Sequence, residues 1–330
     1  MSPNKDPNDS SNHPRVDWDK TRFRVNNYTI NEWPIMFPQK RDGFSVGAEQ
    51  SSSHVVGLAW SPPGLAKFRR STLAVLTSNM VLSLWSVASG RWKRVAIVNK
   101  ELESFFHEAI ESRAPSSRNQ SYFRKDVEDN TARIRKTNIR SFTWTPSLKI
   151  PARDQSYPGP ESRWGIAMLV VANEDNDLIF MRVQLPTSEQ ASPDSFQIEA
   201  VASVPLPTKS GGYDHLIQPR SLFASAFQSQ LRTTSLASGP WICRSGEDKS
   251  AGEDSISAIL NVAGIQGETL RFAKLEVLLQ PQAHGSNEDL CYNFTFDAQE
   301  NTALTPASLQ DSQLLGPIRW AHEVSNLWFL

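Results

Sequence analysis

Residues 55–62 read VVGLAWSP and residues 139–146 read IRSFTWTP, and these two stretches decide the fold. Each is rich in β-branched and aromatic residues and ends in Trp, a hydroxyl residue and Pro, a pattern typical of a strand followed by a turn. Trp60 aligns with Trp144, and the prolines two residues later also align. The sequence therefore predicts one structural unit that occurs twice.

Three further strands are predicted after each copy, separated by turns rich in Ser, Asn and Gly. They lie at 73–76, 81–85 and 92–98 in the first unit, and at 167–172, 178–183 and 198–204 in the second. A weaker third copy is predicted at 222–227, 256–263 and 270–279. Four-strand units that must stack on their neighbours are typical of a propeller. The predicted fold class is all-β, a WD-repeat-like β-propeller that is incomplete.

Three tryptophans of these units, Trp60, Trp85 and Trp144, are predicted to fill the core between stacked units. Large aromatic side chains dominate the burial of apolar surface in such cores. The alternative is that these rings stack on nucleic-acid bases.

The rest of the chain divides into a polar tail at 1–15, predicted to be disordered, and a partial propeller at 16–330 with long polar loops. An amphipathic helix is predicted at 101–112, with Asn99 as a candidate cap, because apolar residues recur at helical spacing. It precedes a basic insertion at 113–138, predicted to be a loop. The other predicted loops are 147–162, 184–197, 205–219 and 280–290.

Composition and charge narrow the possible functions. The chain has 330 residues and a net charge of −1, which does not favour a protein that coats nucleic acid. Residues 1–150 carry 23 Lys and Arg against 14 Asp and Glu, whereas residues 151–330 carry 11 against 21. This asymmetry favours docking to charged partners. Residues 71–90 carry no charge but contain many Ser, Thr and Asn, so they indicate two strands and no membrane span.

No catalytic, cofactor-binding or metal-binding residue is predicted. The chain lacks GxGxxG, GxxxxGK[ST], GxSxG and HExxH motifs, and its two cysteines, Cys243 and Cys291, form no CxxC pair. An acetyl-CoA loop is also missing, since residues 282–287 approach its pattern but end in Asn. The acidic residues Asp175 and Asp177 are assigned to turn geometry and solubility.

Basic residues are the candidate interaction site. Clusters of Lys and Arg attract phosphates and acidic surfaces without reading sequence, although a solvated loop is the simpler alternative. A run at 133–136 also matches a weak nuclear-import pattern. The candidate interaction residues are Lys67, Arg69, Arg70, Arg124, Lys125, Arg133, Arg135 and Lys136.

Several segments resemble fungal members of one family, the amino-terminal propeller region of the delta-type (90-kilodalton-class) subunit of transcription factor IIIC. The similarity covers roughly residues 25–205, and residues 53–99 are its most specific part. The segments that carry the resemblance are EWP at 32–34, EQSSS at 49–53, VGLAWSPPGLA at 56–66, LAVLTSN at 73–79, LSLW at 82–85 and WKRV at 92–95.

The resemblance implies a nuclear scaffold subunit that supports RNA polymerase III transcription of tRNA genes. Its implied partners are the other transcription factor IIIC subunits and the polymerase III machinery, with indirect or non-specific DNA contact and no membrane. Family members usually carry another blade before the Glu-Trp-Pro segment and a zinc-binding region after the propeller. Two alternatives stay open: an acetyltransferase activity that has been attributed to some members, and a generic WD-repeat adaptor outside transcription.

Overall fold

Three four-stranded antiparallel sheets form the described part of the chain in a computed structural model. Within each sheet the strands lie side by side in chain order, so that each sheet is a simple meander. The structure describes residues 21–29, 32, 53–66, 70–88, 90–111, 132–149, 164–184, 197–206, 232–245, 256–266, 269–283, 290–301 and 317–320.

The first sheet contains β1 (Val55–Trp60), β2 (Leu73–Thr77), β3 (Leu82–Ala88) and β4 (Arg91–Ile97). The second contains β5 (Ile139–Trp144), β6 (Ala167–Asn173), β7 (Asp177–Gln184) and β8 (Gln197–Pro205). The third contains β9 (Thr233–Ser245), β10 (Ile256–Gln266), β11 (Thr269–Ala283) and β12 (Leu290–Glu300). Helix α1 (Val98–Glu111) directly follows β4, in the part of the chain that leads from the first sheet to the second.

The second sheet lies between the other two and is buried on both faces. All seven residues of β6 are buried. Because side chains alternate along a strand, Met168 and Val170 pack with the third sheet, whereas Leu169 and Val171 pack with the first. The first strands β1, β5 and β9 contact one another in succession, and β8 contacts β12. Stacked meanders of this kind confirm the blade architecture of a β-propeller.

The strands predicted for the first two units are confirmed to within a few residues. In the third unit β10 and β11 are confirmed, whereas the strand predicted at 222–227 lies outside the described residues. The loop predicted at 280–290 is wrong at both ends, because β11 continues to Ala283 and β12 begins at Leu290. Strand β12 was not predicted: Phe294 and Phe296 face the core, but polar residues alternate with them.

Helix α1 confirms the predicted amphipathic helix, and Leu102 and Phe106 bury its apolar side against the first two sheets. The predicted cap is wrong, because the helix begins at Val98 and Asn99 lies inside its first turn. The side chain of Asn99 is 5% exposed and bonds to three backbone groups instead. The basic insertion is not all loop either, since residues 132–137 are helical; residues 113–131 lie outside the described part.

The prediction that these rings fill the core between stacked sheets is confirmed for Trp144 and wrong for Trp60. Trp85 is buried as well, but Phe23 covers it and not a second sheet. Trp85 and Trp144 are 5% and 8% exposed, but Trp60 is 58% exposed. The reason is directional. In β5, Phe142 and Trp144 point towards the first sheet, and Phe142 packs over Gly57, where an added Cβ would lie 3.1 Å from its ring. The equivalent side of β1 points away from the second sheet.

These positions predict unequal costs for the same substitution. Trp144→Ala should lower the free energy of unfolding by about 3–5 kcal/mol, because it leaves a cavity between two sheets. Trp60→Ala should cost about 1 kcal/mol or less, since most of its side chain is already in water. Urea denaturation of the two variants beside wild type measures the difference. Equal losses would show that Trp60 is covered in solution.

Candidate interaction surface

The acidic turn between β6 and β7 is organised by two asparagines. The Asn173 side-chain oxygen accepts hydrogen bonds from the backbone N–H groups of Asp175 and Asp177, at 3.0 and 2.9 Å. Asn176 adopts a left-handed conformation with φ of 64°, which Asn tolerates better than most residues. Its side-chain oxygen accepts the backbone N–H of Thr233 at 2.9 Å. The turn is thereby bonded to the start of the third sheet.

Four cations surround this turn and form what we call the ion-pair cluster. Lys136 Nζ lies 2.6 Å from Asp177 Oδ2 and 3.3 Å from Asp175 Oδ2. Arg135 pairs with Asp175 at 3.5 Å. Glu174 lies between two guanidinium groups, those of Arg140 and Arg232. The full cluster consists of Arg135, Lys136, Arg140 and Arg232 with Glu174, Asp175 and Asp177. The side chain of Asp177 is only 10% exposed, so this turn depends on its cations.

The structure therefore brings together part of the predicted basic site. Arg135 and Lys136 lie in the ion-pair cluster, and Arg133 pairs with Glu103 of α1 at 3.1 Å. Arg133 and Arg135 stay 45% and 46% exposed, which leaves both able to reach a partner. Arg70 is exposed in the connection between β1 and β2. The other four candidates, Lys67, Arg69, Arg124 and Lys125, lie outside the described residues.

A second surface was not predicted. Val56, Leu58 and Trp60 lie on the side of β1 that faces away from the second sheet, and they are 56%, 62% and 58% exposed. We call this side of the first sheet the open face. Its alternating apolar spacing was visible in the sequence, but the same spacing is found in buried strands. The sequence could not show which side lacked a neighbour.

The outer part of the open face is already covered by residues 21–29. The ring of Phe23 packs on Trp85 and Trp92, with centroids 4.9 and 5.0 Å apart. Trp60 adjoins this group, because its ring lies 5.9 Å from that of Trp92. A segment of the chain with an aromatic side chain therefore already packs on the same sheet.

Arg94, in β4, binds this segment through a cation–π contact with Tyr28. Its guanidinium carbon lies 4.2 Å from the ring centre of Tyr28 and 4.9 Å from that of Trp85. The same group pairs with Glu32 at 3.1 Å. Burial alone would raise the pKa of Glu32, but hydrogen bonds from Thr29 and the charge of Arg94 outweigh it and lower that pKa.

The described part of the chain contains a polar cleft, but neither a metal-ligand group nor a membrane-spanning helix. There, no three His, Cys, Asp or Glu side chains are grouped so that they could hold a metal ion. No described helix has the length and apolar character to cross a membrane. A shallow polar cleft lies between α1 and the second sheet, lined by residues that include Glu101, Arg182 and Glu199.

Comparison with known proteins identifies the family. The family model described as transcription factor IIIC subunit delta beta-propeller domain matches residues 1–325. The match covers nearly the whole chain and includes all three sheets. No curated protein sequence matches the chain.

The ion-pair cluster predicts that Lys136 is structural. Lys136→Met should lower the free energy of unfolding by about 1–3 kcal/mol, because Asp177 loses its closest cation while staying buried. The control Lys100→Met removes an exposed lysine from α1 and should change stability by less than about 0.5 kcal/mol. Thermal and urea denaturation of both variants test this. Equal effects would mean that the cluster adds no stability.

The lowered pKa of Glu32 predicts a pH dependence. A carboxylate whose pKa falls on folding stabilises the protein above its ordinary value of 4.5, and this contribution is lost as pH falls through the folded pKa. Wild type should therefore exceed Glu32→Gln in stability at pH 7, and the difference should shrink as pH falls below 4.5. Urea denaturation at several pH values measures it, with Glu199→Gln, at an exposed position of β8, as the control. A difference that is constant with pH would contradict the assignment.

Proposed function

The chain belongs to the transcription factor IIIC subunit delta family, and from this we propose that it is a non-catalytic scaffold subunit of that complex. In this role it acts in the nucleus through protein contacts and supports RNA polymerase III transcription of tRNA genes. Its partners are the other subunits of the complex and the polymerase III machinery, and its contact with DNA is indirect or non-specific.

The family match over residues 1–325 is the observation that carries this proposal. The geometry supports it in two ways. Stacked sheets form a rigid body whose exposed surfaces and loops are suited to binding other proteins. The two surfaces described, the ion-pair cluster and the open face, offer charge and apolar area respectively, which are the elements of a protein interface.

The experiment is purification of the tagged chain from nuclear extract, with chromatin immunoprecipitation at tRNA genes. We expect the other transcription factor IIIC subunits in stoichiometric amounts and occupancy of tRNA genes. Co-purification with an unrelated complex would favour the generic adaptor. Binding of acetyl-CoA to the purified complex, lost when this chain is omitted, would favour the acetyltransferase.

We further propose that the basic candidates contribute to these contacts. Lys67, Arg69, Arg70, Arg124, Lys125, Arg133 and Arg135 would approach an acidic partner surface or DNA phosphates. Lys136 contributes through the ion-pair cluster, because it is already engaged with two carboxylates. Attraction of this type releases or competes with counterions, so it weakens as salt rises.

Paired variants test the basic candidates in the assembled complex. Arg124→Ser/Lys125→Ser and Arg133→Ser/Arg135→Ser should each lower affinity for duplex DNA or recovery of the complex, with a shallower salt dependence by about 1 unit of slope per lost phosphate contact. Lys100→Ser/Arg244→Ser removes two exposed charges elsewhere and should change neither. If both test variants assemble and bind DNA as wild type does at low and moderate salt, these residues belong to a solvated loop that contacts no partner.

A further inference from the structure

We propose that one end of the first sheet binds a short acidic segment of a partner protein. The site, which we call the basic end, consists of Arg70, Arg91 and Lys93 and lies where β1 and β3 stop. This inference deepens the proposed function and rests on it, because the partner is taken to be another protein of the assembly. Three observations carry it: the direction of the strands, the ion pairs at their other end, and the fixed backbone of the basic end.

The direction of the strands divides the basic candidates into two groups. Residues 133–136 precede β5 in the chain, whereas residues 67–70 follow β1. The start of β5 bonds to the turn between β2 and β3, because the Ile139 N–H donates to the carbonyl of Met80 at 3.1 Å, and β1 also begins beside that turn. A six-residue strand spans about 20 Å, so the two groups lie at opposite ends of the strands and a flat partner surface contacts only one of them.

At the end where β5 begins, the described basic candidates already have carboxylate partners. Arg135 and Lys136 contact carboxylates of the ion-pair cluster, and Arg133 contacts Glu103 at 3.1 Å. At the basic end, by contrast, the exposed side chains of Arg70 and Arg91 form no ion pair with a described acidic residue. The cations of the basic end therefore remain available to carboxylates of another protein.

Hydrogen bonds fix the backbone that carries Arg70. The Ser61 N–H donates to the carbonyl of Thr72, and the Thr72 N–H donates to Ser61 Oγ, each at 2.8 Å. The Ala66 N–H donates to the carbonyl of Arg70 at 2.8 Å, and Leu65 and Ala66 are buried. Because this backbone is already ordered, a partner that binds the Arg70 side chain loses little affinity to the ordering of the site.

A tight turn places Arg91 at the same end of the sheet. Gly90 has a φ of 76°, which a two-residue hairpin turn accepts readily, and Arg91 pairs with Ala88 across that turn. Arg91 and Lys93 are both exposed on β4. Since β2 and β4 are two strand spacings apart, about 10 Å, these cations and Arg70 lie within reach of one short segment.

The position of the basic end does not depend on what packs against the open face. Sheets of a propeller stack face to face, whereas the connections between their strands lie at the ends of the strands. Arg70 lies in the connection between β1 and β2, and Arg91 follows the turn between β3 and β4. Another sheet beside the first would therefore leave the end of its strands accessible.

The same end of the third sheet leads into connections of opposite charge. Strand β9 runs in the direction of β5, because Trp241 in its second half donates to the carbonyl of Pro146, which follows β5, at 2.7 Å. The connections that leave this end of the third sheet, residues 246–255 and 284–289, contain six Asp and Glu against one Lys. Residues 51–100, in contrast, contain seven Lys and Arg and no Asp or Glu.

This charge distribution favours a short acidic segment over nucleic acid. The guanidinium group of arginine binds a carboxylate through two parallel hydrogen bonds, which suits Asp and Glu side chains. A protein that binds duplex DNA through its backbone makes about 6–10 phosphate contacts, which is more than the basic end offers. A long polyanion would also meet the negative charge of the third sheet, whereas a short segment contacts the first sheet alone.

The first experiment uses the full chain and three labelled synthetic peptides of the same length. One alternates Glu with Ser, one has Gln in place of Glu, and one has Lys in place of Glu. We expect fluorescence anisotropy at low salt to show at least tenfold tighter binding of the acidic peptide than of the other two, because opposite charges attract most strongly when little salt screens them.

Two matched variants locate the contact. Arg70→Ser/Arg91→Ser should weaken binding of the acidic peptide at least fivefold. Arg133→Ser/Arg135→Ser removes the same charge from two exposed arginines at the other end of the strands. It should change the affinity for the acidic peptide less than twofold, because both arginines already have carboxylate partners in this chain.

The second experiment measures recovery of the full chain with the co-expressed complex. Arg70→Ser/Arg91→Ser should lower it at least threefold while the melting temperature stays within a few degrees, and Lys100→Ser/Arg244→Ser should match wild type. If wild type itself fails to join the complex, the proposed function fails, and the peptide measurement still decides the basic end.

Four results would overturn the proposal. The first is that wild type binds the acidic peptide no more tightly than the Gln peptide, or binds a 20-base-pair DNA duplex more tightly than either. The second is that the two double-arginine variants have equal effects on peptide affinity. The third is that wild type joins the complex and Arg70→Ser/Arg91→Ser joins it equally well. The fourth is a wild-type dimer in light scattering that Arg70→Ser/Arg91→Ser abolishes, in which case a second copy occupies the basic end.

Discussion

Burial of the second sheet on both faces is the constraint on which the rest of the structure depends. Met168 and Val170 contribute to one core and Leu169 and Val171 to the other, so no side of β6 is left for solvent. Such a sheet cannot exist alone in water, because either exposed face would cost the hydrophobic free energy of a full core layer. The three sheets must therefore fold as one unit, and α1 completes the core between the first two through Leu102 and Phe106.

Buried polar bonds fix how successive sheets are placed. Asn99 accepts the backbone N–H of Leu82 and donates to the carbonyls of Met80 and Thr137, so it joins the first sheet to the segment that leads into the second. Asn176 does the same between the second sheet and Thr233. Both contacts involve the turn between the second and third strands of a sheet. Apolar packing tolerates sliding more readily than a buried amide does, because a shifted amide would lose its partners.

The sequence predicted most of the fold because its strongest signals are local. Alternation and the Trp-hydroxyl-Pro ending at 55–62 and 139–146 located the first strand of two units, and their turns located the next strands. Strand β9 was not predicted, because Gly239 and Pro240 interrupt its run of strand-forming residues. The ion-pair cluster was not predicted for another reason. Lys136 and Asp177 are far apart in the chain, and the pairing of β5 with β6 and of β6 with β7 brings them within 2.6 Å.

The same limit explains the error at Trp60. Trp60 and Trp144 have equivalent places in their own sheets, and local sequence describes them equally well. They differ in what packs against them. The first sheet covers Trp144, whereas no described sheet covers Trp60. In a repeat structure each unit contacts only its neighbours, so an apolar face is stable where a neighbour covers it. Leu58 and Trp60 keep the apolar character of Phe142 and Trp144, which is the character of a face that a neighbouring sheet covers.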